Sequence, residues 1–385
     1  MNRPYDLIVY GATGYLGSLV VQYLWTHGPP ALRWAVAGRN EQRLATLVDS
    51  LDPSQSHRKL PDVMVAALNG EDLGRMAFQT RLVLNTVGPF CKYGTPVVAA
   101  CIEHSTGYVD STGEHVWTQQ LAAQWHEKAM ANKAIVLFPT GLSGGTIASI
   151  FAGLETYSLR QMMAASAPGA SCIPDAGPHR PHPAPNLPVR RDRFLGDLTF
   201  NPSAIADQAV VMRTWSLLQR YGDRTERYGD RFSFQGYTAA QGWLQAWTSF
   251  LTMSVAVFCI LLFPPLRWLL KWLSPQPGTG PQLKPGERHF VKWKATVAAD
   301  GVDVSEPSVL GIMRMNTDVY SVCATLVSEA ALTLLQVLEG KDEGSMAKKL
   351  GGGILTPASL GIPYVQRLEK AGLQWKVTDI KGKEE

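Results

Sequence analysis

Near its amino end the chain reads Tyr5-Asp6-Leu7-Ile8-Val9-Tyr10 and then, without a break, Gly11-Ala12-Thr13-Gly14-Tyr15-Leu16-Gly17. The first run is apolar and rich in β-branched residues, which is typical of a strand buried on both faces of a parallel sheet. After the glycines, apolar side chains recur at helical spacing, at Leu19, Val20, Tyr23 and Leu24. The order strand, glycine turn, helix predicts a unit that binds a dinucleotide.

Each glycine of the turn has its own physical reason. Gly11 permits the sharp turn, Gly14 lacks a Cβ so that a pyrophosphate can approach, and Gly17 lets the helix lie close to the strand. The helix then directs unpaired N–H groups at the phosphates. We predict that the cofactor is held by Gly11, Ala12, Thr13, Gly14, Tyr15, Leu16 and Gly17. The alternative is a tight turn that binds nothing, since the spacing is G-x-x-G-x-x-G rather than G-x-G-x-x-G.

The end of the second strand indicates which dinucleotide is bound. Folds selective for NAD place an Asp or Glu there, about 20 residues after the turn, to accept from the ribose 2′-OH. This chain has Arg39-Asn40 instead, with Arg43 one helical turn on. Because a guanidinium stabilises a 2′-phosphate, Arg39 and Asn40 favour NADPH. The alternatives are that Arg39 is a solvated residue at a helix start and that the nearby Glu41 weakens the preference.

Strands and helices continue to alternate as far as Pro139, which predicts a doubly wound parallel sheet. The fourth strand leads into Asn85, Thr86, Val87, Gly88 and Pro89. Ligands of such sheets lie beyond the carboxyl ends of the strands. We therefore expect these five residues to flank the ribose and nicotinamide, although a purely structural turn would also explain Gly88-Pro89.

The fifth strand ends in polar residues on the same side. Either Asp110 or Glu114 could position a substrate or relay a proton, and Asp110 is the catalytic candidate because Glu114 is better explained as part of a helix cap. Ser111 or Thr112 is expected to cap the next helix, with Glu114 in the first turn of that helix.

Composition narrows the class of protein. A chain of 385 residues is long enough for two or three domains, and a net charge of +4 without basic clusters argues against nucleic-acid binding. The five cysteines lie far apart without metal spacing, so we predict no metal site and a reducing compartment. The first strand begins too early to leave room for a signal peptide, so the site is expected to face the cytosol.

Several segments together resemble the saccharopine dehydrogenase-like oxidoreductases, including the trans-acting enoyl reductases and the eukaryotic saccharopine dehydrogenase-like oxidoreductases. They are Tyr10–Gly14, Ala37–Asn40, Asn85–Phe90, Tyr108–Glu114, Ser143–Ser149 and Gly352–Ala358. The resemblance covers most of the chain and implies a Rossmann domain with NAD(P) in the glycine turn. It also implies a substrate domain inserted before the last elements.

The chain departs from the family at one point. In the family, the sixth strand leads to a Gly-Phe-Asp-Ser-(Ile/Val)-Pro segment, and the Ser-Gly-Gly-Thr motif follows some tens of residues later. Here Phe138-Pro139-Thr140-Gly141-Leu142 passes directly into Ser143. The missing piece would help to form the wall of the active site.

The second half contains a long apolar stretch. Between Arg231 and Arg267 there is no charged residue, and 243–263 is densely apolar. About 20 such residues can span a bilayer. Pro264-Pro265 ends the run, and the aromatic and basic piece 266–273 that follows suits a membrane interface. Three readings stay open: a buried core or dimer helix, a transmembrane span, and a shallow insertion into a lipid monolayer.

We thus expect an α/β fold with a Rossmann-type sheet, a second α+β domain and an apolar membrane-associating helical segment. The expected bounds are 1–142 for the NADP-binding domain, 143–340 for the second domain with its apolar segment 243–273, and 341–385 for elements that pack back. The expected function is reduction of an enoyl or similar lipid-like or polyketide-like substrate by NADPH, on the cytoplasmic side of a membrane or lipid droplet. The alternative is a membrane-attached NADP(H)-binding protein with little or no turnover. A homodimer is left open.

Overall fold

Strands and helices alternate from Tyr5 to Leu137, as predicted. The structure is a computed structural model that describes residues 3–55, 59–141, 147–167, 169–180, 187–273, 280–281, 287, 289–299, 306–342 and 344–380. The strands are β1 (Tyr5–Tyr10), β2 (Trp34–Gly38), β3 (Asp62–Val65), β4 (Thr80–Asn85), β5 (Gly107–Asp110), β6 (Ile135–Leu137), β7 (Val189–Asp192), β8 (Gly196–Phe200), β9 (Tyr237–Ala240), β10 (Val291–Val297), β11 (Val309–Met315), β12 (Gly353–Leu355) and β13 (Gln374–Asp379).

The helices are α1 (Tyr15–His27), α2 (Glu41–Asp49), α3 (Gly70–Gln79), α4 (Phe90–Glu103), α5 (His115–Ala131), α6 (Ile147–Thr156), α7 (Leu159–Ala165), α8 (Ala204–Tyr221), α9 (Trp243–Leu262), α10 (Pro264–Leu273), α11 (Val319–Leu338), α12 (Met346–Leu350) and α13 (Gly361–Lys370). Short 3₁₀ helices lie at Pro53–Gln55 and Pro357–Leu360.

The main sheet has seven strands in the order β12-β6-β5-β4-β1-β2-β3, all parallel. β1 lies inside the sheet, where Leu7 pairs with Trp34 of β2 and Leu82 of β4. Parallel strands need helical crossovers, and those crossovers cover both faces. The predicted doubly wound sheet is therefore confirmed.

Alternate side chains of β1 enter two separate cores, as the period of two along a strand requires. Leu7 and Val9 join a core that includes side chains of α1 and α11, whereas Ile8 and Tyr10 join a core that includes side chains of α3, α4 and α5. Through this packing α11 lies in the protein interior. Its Glu329 accepts hydrogen bonds from Tyr23 of α1 and Arg367 of α13.

The last strand of the main sheet comes from the distant carboxyl-terminal part of the chain. Ile354 of β12 pairs with Val136 of β6, and Gly353 has a φ of +105° that L side chains rarely adopt. A Cβ on Gly353 would lie 2.8 Å from the sulfur of Met130. The chain thus returns to complete the sheet over 200 residues after β6, with a glycine at the point of closest approach.

A buried arginine holds β12 in place. Arg213 of α8 is 5% exposed, and its guanidinium donates from Nε and Nη2 to the Ile354 carbonyl and from Nη1 to the Ser171 carbonyl. Its Nη2 also lies 3.1 Å from Nδ1 of His126. Burial lowers the pKa of Arg213 to about 10, and burial with Arg213 nearby lowers the pKa of His126 to about 4. His126 is therefore neutral near pH 7, so it can accept from Arg213.

Two small antiparallel sheets, β7-β8-β9 and β10-β11-β13, lie outside the main sheet, which confirms the additional α+β part of the fold. Apolar and polar residues alternate along β10, as in a strand with one solvated face. The predicted domain bounds stay a prediction. The motif residues Ser143, Gly144, Gly145 and Thr146 and the tail 381–385 lie outside the described residues.

Among the residues that the structure describes, two helices are long and apolar enough to cross a membrane by length and composition, but one is buried and the other exposed. α11 has 72% of its most apolar window buried, whereas α9 has only 6%. α9 ends at Leu262, and Phe263 separates it from Pro264-Pro265, which begin α10, so the apolar run ends at the prolines as expected. α11 is thus a core helix of the folded protein, whereas α9 packs on the protein near its amino end and is mostly exposed along the rest of its length, as far as the described residues show.

Candidate nucleotide-binding and active site

The glycine turn has the shape that a phosphate cradle needs. Gly11 has a φ of +84°, and a Cβ on Gly17 would lie 2.3 Å from the Gly11 carbonyl oxygen. A Cβ on Gly14 would meet only that same oxygen, at 3.2 Å. Gly14 precedes α1 and provides no side-chain cap, so the first N–H groups of α1 are left for a ligand. These residues fit a bound pyrophosphate.

The remaining members of the turn have different exposures. Ala12 is buried, Thr13 is exposed, and Leu16 packs partly on the core. The Tyr15 hydroxyl donates to the Pro281 carbonyl, and the Tyr15 ring packs edge-on against Tyr320. The turn is thus anchored in the core by Ala12, while the backbone at Thr13 and Gly14 is accessible to a ligand.

The residues after β4 pack against the glycine turn and hydrogen-bond to its backbone. Thr86 donates from its hydroxyl to the carbonyls of Tyr10 and Gly11, and a Cβ on Gly11 would lie 2.6 Å from the Val87 side chain. Gly88 is exposed and Pro89 is partly exposed at the same sheet edge. The structure therefore brings the predicted residues of β1 and β4 together. Their contact with the cofactor stays a prediction.

Arg39 and Asn40 follow β2 at this edge, where Asn40 caps a helix and Arg39 is exposed to solvent. The Asn40 side chain accepts from the Arg43 backbone N–H at 2.9 Å and so caps α2. Arg39 is exposed, and its guanidinium makes no hydrogen bond or ion pair within the parts of the chain that the structure describes. Arg39 is thus free to meet a 2′-phosphate, while the side chain of Asn40 already has a structural partner.

Asp110 lies in a fully buried chain of hydrogen bonds. Asn85 donates to the Tyr108 hydroxyl, which donates to Oδ2 of Asp110, while the Thr112 N–H donates to Oδ1. Burial raises the pKa of Asp110 to about 8, although the bonds from Thr112 and Tyr108 oppose the shift. Asp110 and Asn85 are both 0% exposed. The arrangement suits a positioning role at the ends of β4 and β5, and a direct catalytic role for Asp110 stays a prediction.

The prediction for Glu114 is wrong. Its carboxylate makes no capping bond to α5, the helix that follows it, and instead accepts from the backbone N–H groups of Phe90 and Cys91, both at 2.8 Å. Glu114 therefore caps α4, whose positive dipole end stabilises a carboxylate. Thr112 accepts from the Glu114 N–H, so the loop after β5 is locked against the loop after β4.

Around this carboxylate the structure places side chains that sequence reasoning missed. Burial, with Glu114 beside it, raises the pKa of the Cys91 thiol to about 12, so Cys91 is not a ready nucleophile. Cys91 also accepts from Thr156, and Lys92 pairs with Glu155 at 2.6 Å. α6 is thereby fixed along the rim of the site, directly after the unusual sequence that lacks the family segment.

The described residues include no cluster of three or more His, Cys, Asp or Glu side chains that could hold a metal ion. A groove of about 420 Å³ lies along α1 and α11, lined by residues such as Leu19, Tyr23 and Thr325. It follows the length of α1 rather than its phosphate-facing end, so it is separate from the cradle.

Comparisons with known proteins identify the nucleotide domain. Residues 7–137 match the family described as "Saccharopine dehydrogenase NADP binding domain". A Mycobacterium tuberculosis protein provisionally named a trans-acting enoyl reductase is 28% identical over 434 aligned positions, which cover 98% of this chain and 98% of that protein. A "Trans-acting enoyl reductase" of Mycobacterium ulcerans is 27% identical, over 98% and 99% of the two chains.

One solved structure is similar along nearly the whole chain. It is apo saccharopine dehydrogenase (L-Glu forming) from Saccharomyces cerevisiae, with a TM-score of 0.48 and 13% identity over 97% of this chain and 100% of that one. The predicted resemblance to saccharopine dehydrogenase-like oxidoreductases is confirmed by the family match and the curated relatives. The cofactor is NADP(H), and the class is an NADP-dependent oxidoreductase similar to the trans-acting enoyl reductases.

Proposed function

We propose that this saccharopine dehydrogenase-like chain reduces the carbon–carbon double bond of an enoyl or similar unsaturated, lipid-like or polyketide-like substrate. The observation that carries the proposal is the glycine cradle at the end of β1, inside an NADP-binding domain, in a chain similar to trans-acting enoyl reductases along 98% of its length. NADPH would supply a hydride to one alkene carbon, and a proton from water would complete the neighbouring carbon.

The chain's own residues would bind and orient rather than form covalent intermediates. The amides of the turn would hold the pyrophosphate, and Arg39 would hold the 2′-phosphate. Val87, Gly88 and Pro89 would flank the nicotinamide, because they follow the strand next to β1 at the ligand edge. The buried chain Asn85–Tyr108–Asp110 would keep the ends of β4 and β5 in register beneath that ring.

Turnover is tested directly with purified full-length protein. With NADPH and a panel of enoyl thioesters, we expect loss of absorbance at the nicotinamide band and a product two hydrogens heavier by mass spectrometry. Saturated thioesters of equal chain length are the matched control and should cause no oxidation. Tight NADPH binding without oxidation by any substrate would contradict the proposal.

The second candidate function is a membrane-attached NADP(H)-binding protein without turnover, and for such a protein we expect that negative result. A specific observation favours it. The relatives align over 434 positions, against the 385 residues of this chain, so they contain residues that this chain lacks. If the wall of the active site is among them, binding would survive and catalysis would not.

The role of Arg39 gives a separate prediction. Arg39→Ala is expected to weaken NADPH binding by roughly 10- to 100-fold, because a hydrogen bond to a charged group contributes about 1.5–3 kcal/mol. Binding of NADH should change little, since NADH has no 2′-phosphate. Titration of both nucleotides by fluorescence measures the two effects, with Arg160→Ala, an exposed arginine of α7, as control. An equal change for both nucleotides would show that Arg39 does not read the phosphate.

We also propose attachment to the cytoplasmic face of a membrane or lipid droplet. Support comes from α9, in which 251–258 is exposed at every position. Eight consecutive exposed residues without a charge form an apolar patch, and exposed apolar patches of this kind mark interaction sites. Such attachment would suit a lipid-like substrate.

A further inference from the structure

The segment after β9 forms two consecutive helices, α9 and α10, which we call the apolar hairpin (residues 243–273). Its amino end is fixed on the small sheet β7-β8-β9, where Thr199 donates to the Ala246 carbonyl at 2.9 Å and Ala246 is fully buried. Its other end lies against α6, because α10 packs on that helix. Both ends of the hairpin are therefore attached to the folded protein.

The topology of the main sheet decides how such a hairpin can meet a lipid. β6 precedes the hairpin in sequence, β12 follows it, and the two strands are hydrogen-bonded neighbours. A single crossing of a bilayer by α9 would place them on opposite sides. α10 has 10 residues and is about 15 Å long, half of the ~30 Å hydrocarbon core, so it cannot return the chain.

No other segment can make the return crossing. From Leu273 to Asp318 charged residues recur so often that no run approaches the ~20 apolar residues that a span requires. α11, which comes next, is buried against α1 and β4. The fold is therefore incompatible with α9 as a transmembrane helix.

The side chains of the hairpin are nevertheless suited to hydrocarbon. The exposed apolar residues include Leu251, Val255, Val257 and Phe258. The polar Ser254 donates to the Phe250 carbonyl, and Thr248 donates to the Gln245 carbonyl. Hydroxyls that are bonded within their own helix cost far less to bury in lipid than free ones.

The turn between the two helices fits the boundary between hydrocarbon and headgroups. Arg267 donates to the carbonyls of Ile260 and Leu261, so a charged side chain caps two carbonyls in the last turn of α9. On α10, Trp268 and Trp272 are 70% and 71% exposed. Trp and Arg side chains favour the membrane–water interface, because each has an apolar part that faces hydrocarbon and a polar group that faces water.

We infer that the apolar hairpin inserts into one leaflet of a lipid surface, with the chain on both sides of it remaining in the same aqueous compartment. This inference gives the mode of the proposed attachment and rests on it. α10 packs on α6. At the rim of the site, α6 is bonded to α4 through Thr156 with Cys91 and Glu155 with Lys92. Insertion of the hairpin therefore brings the part of the site that would hold the nicotinamide close to the lipid. A lipid-like substrate could then enter without crossing water.

The test compares a bilayer with a monolayer. Full-length protein is mixed with phosphatidylcholine liposomes and, separately, with triolein droplets coated by a phosphatidylcholine monolayer, and both are floated in 0.1 M and about 0.5 M salt, where charge attraction is screened. We expect flotation with both particles at both salt concentrations. Flotation with liposomes alone would overturn the single-leaflet mode, since a spanning helix has no place in a monolayer.

Variants locate the contact. Val255→Asp with Phe258→Asp should reduce flotation at least tenfold, because both side chains are about 60% exposed and their loss leaves no cavity. Ile362→Asp in α13, with a side chain 66% exposed, is the matched control and should float like the parent. Flotation of the double variant at the parent level would overturn the inference. So would a dimer in detergent-free buffer that the double variant splits, since a second copy would then cover α9.

A turnover assay distinguishes the proposed reaction from the proposed insertion into lipid. A short, water-soluble enoyl thioester does not need the lipid, so the parent and the double variant should oxidise NADPH equally with it. Flotation without any turnover would leave the hairpin assignment standing and remove the proposed reaction. Turnover without flotation would do the reverse.

Discussion

Gly14→Ala is expected to weaken NADPH binding at least tenfold while the protein stays folded, whereas Gly17→Ala should impair both binding and folding. The two glycines differ in what a methyl group meets. At Gly17 the Cβ would lie 2.3 Å from a backbone oxygen and 2.9 Å from the Ala12 Cα, which only a shift of the turn can relieve. At Gly14 the Cβ has a single contact at 3.2 Å, and the backbone has an ordinary extended conformation.

The methyl group of Gly14→Ala should therefore occupy the space reserved for the pyrophosphate, with a loss of helix-capping stability of only about 1 kcal/mol. Isothermal titration with NADPH measures the first effect and thermal unfolding the second. Gly70→Ala is the matched control, because it opens α3 with nothing within 4 Å of the added carbon. If Gly14→Ala binds NADPH as the parent does, the cradle is not where the phosphates lie.

Arg213→Leu is expected to lower the free energy of unfolding by about 3 kcal/mol or more. The substitution removes the Arg213 donors to the Ile354 and Ser171 carbonyls, and each unsatisfied buried group costs about 1–3 kcal/mol. His126 Nδ1 keeps the backbone N–H of Ile354 as a donor. Part of this loss is offset because the desolvated guanidinium itself is removed. Urea unfolding followed by circular dichroism gives the difference.

Arg220→Leu is the control for that measurement. It lies on the same helix, but its ion pair with Asp175 is largely solvated, and exposed pairs contribute at most about 1 kcal/mol. Equal destabilisation by the two variants would mean that the contacts of Arg213 with β12 do not stabilise the fold. A small effect for Arg220→Leu with a large one for Arg213→Leu supports them.

Local patterns were enough to predict the nucleotide domain. β1, the glycine turn and α1 are consecutive in sequence, and the period of two or of 3.6 residues shows in each element. Arg39 could be singled out for the same reason, since it directly follows a predictable strand. None of these inferences needed knowledge of which distant segments meet.

Contacts between distant segments are what the sequence did not show. Glu114 sits in a local pattern that predicts a cap on its own helix, yet it caps α4, because β4 and β5 are neighbours and their loops meet. The partner of Arg213 is a strand 141 residues away. Pairings of this kind depend on the strand order of the sheet, which local periodicity does not specify.

Hydropathy also did not distinguish the environments of α9 and α11. Their mean hydropathies are 1.7 and 1.6, yet one is exposed and the other forms part of the core. The distinguishing signal was Glu329, whose charge needs the partners Tyr23 and Arg367 that only a protein interior supplied. α9 has no such residue, and its environment follows from topology rather than composition.

The edge position of β12 has a consequence for how this protein is made. While the ribosome is still adding the residues after β6, the nascent nucleotide domain exposes an unpaired strand edge, and such edges recruit other chains. Closing the sheet must await residues 353–355, and so distant a pairing slows folding. We expect fragments that stop before β12 to aggregate, so a chaperone that shields the β6 edge during synthesis should raise the yield of the whole chain.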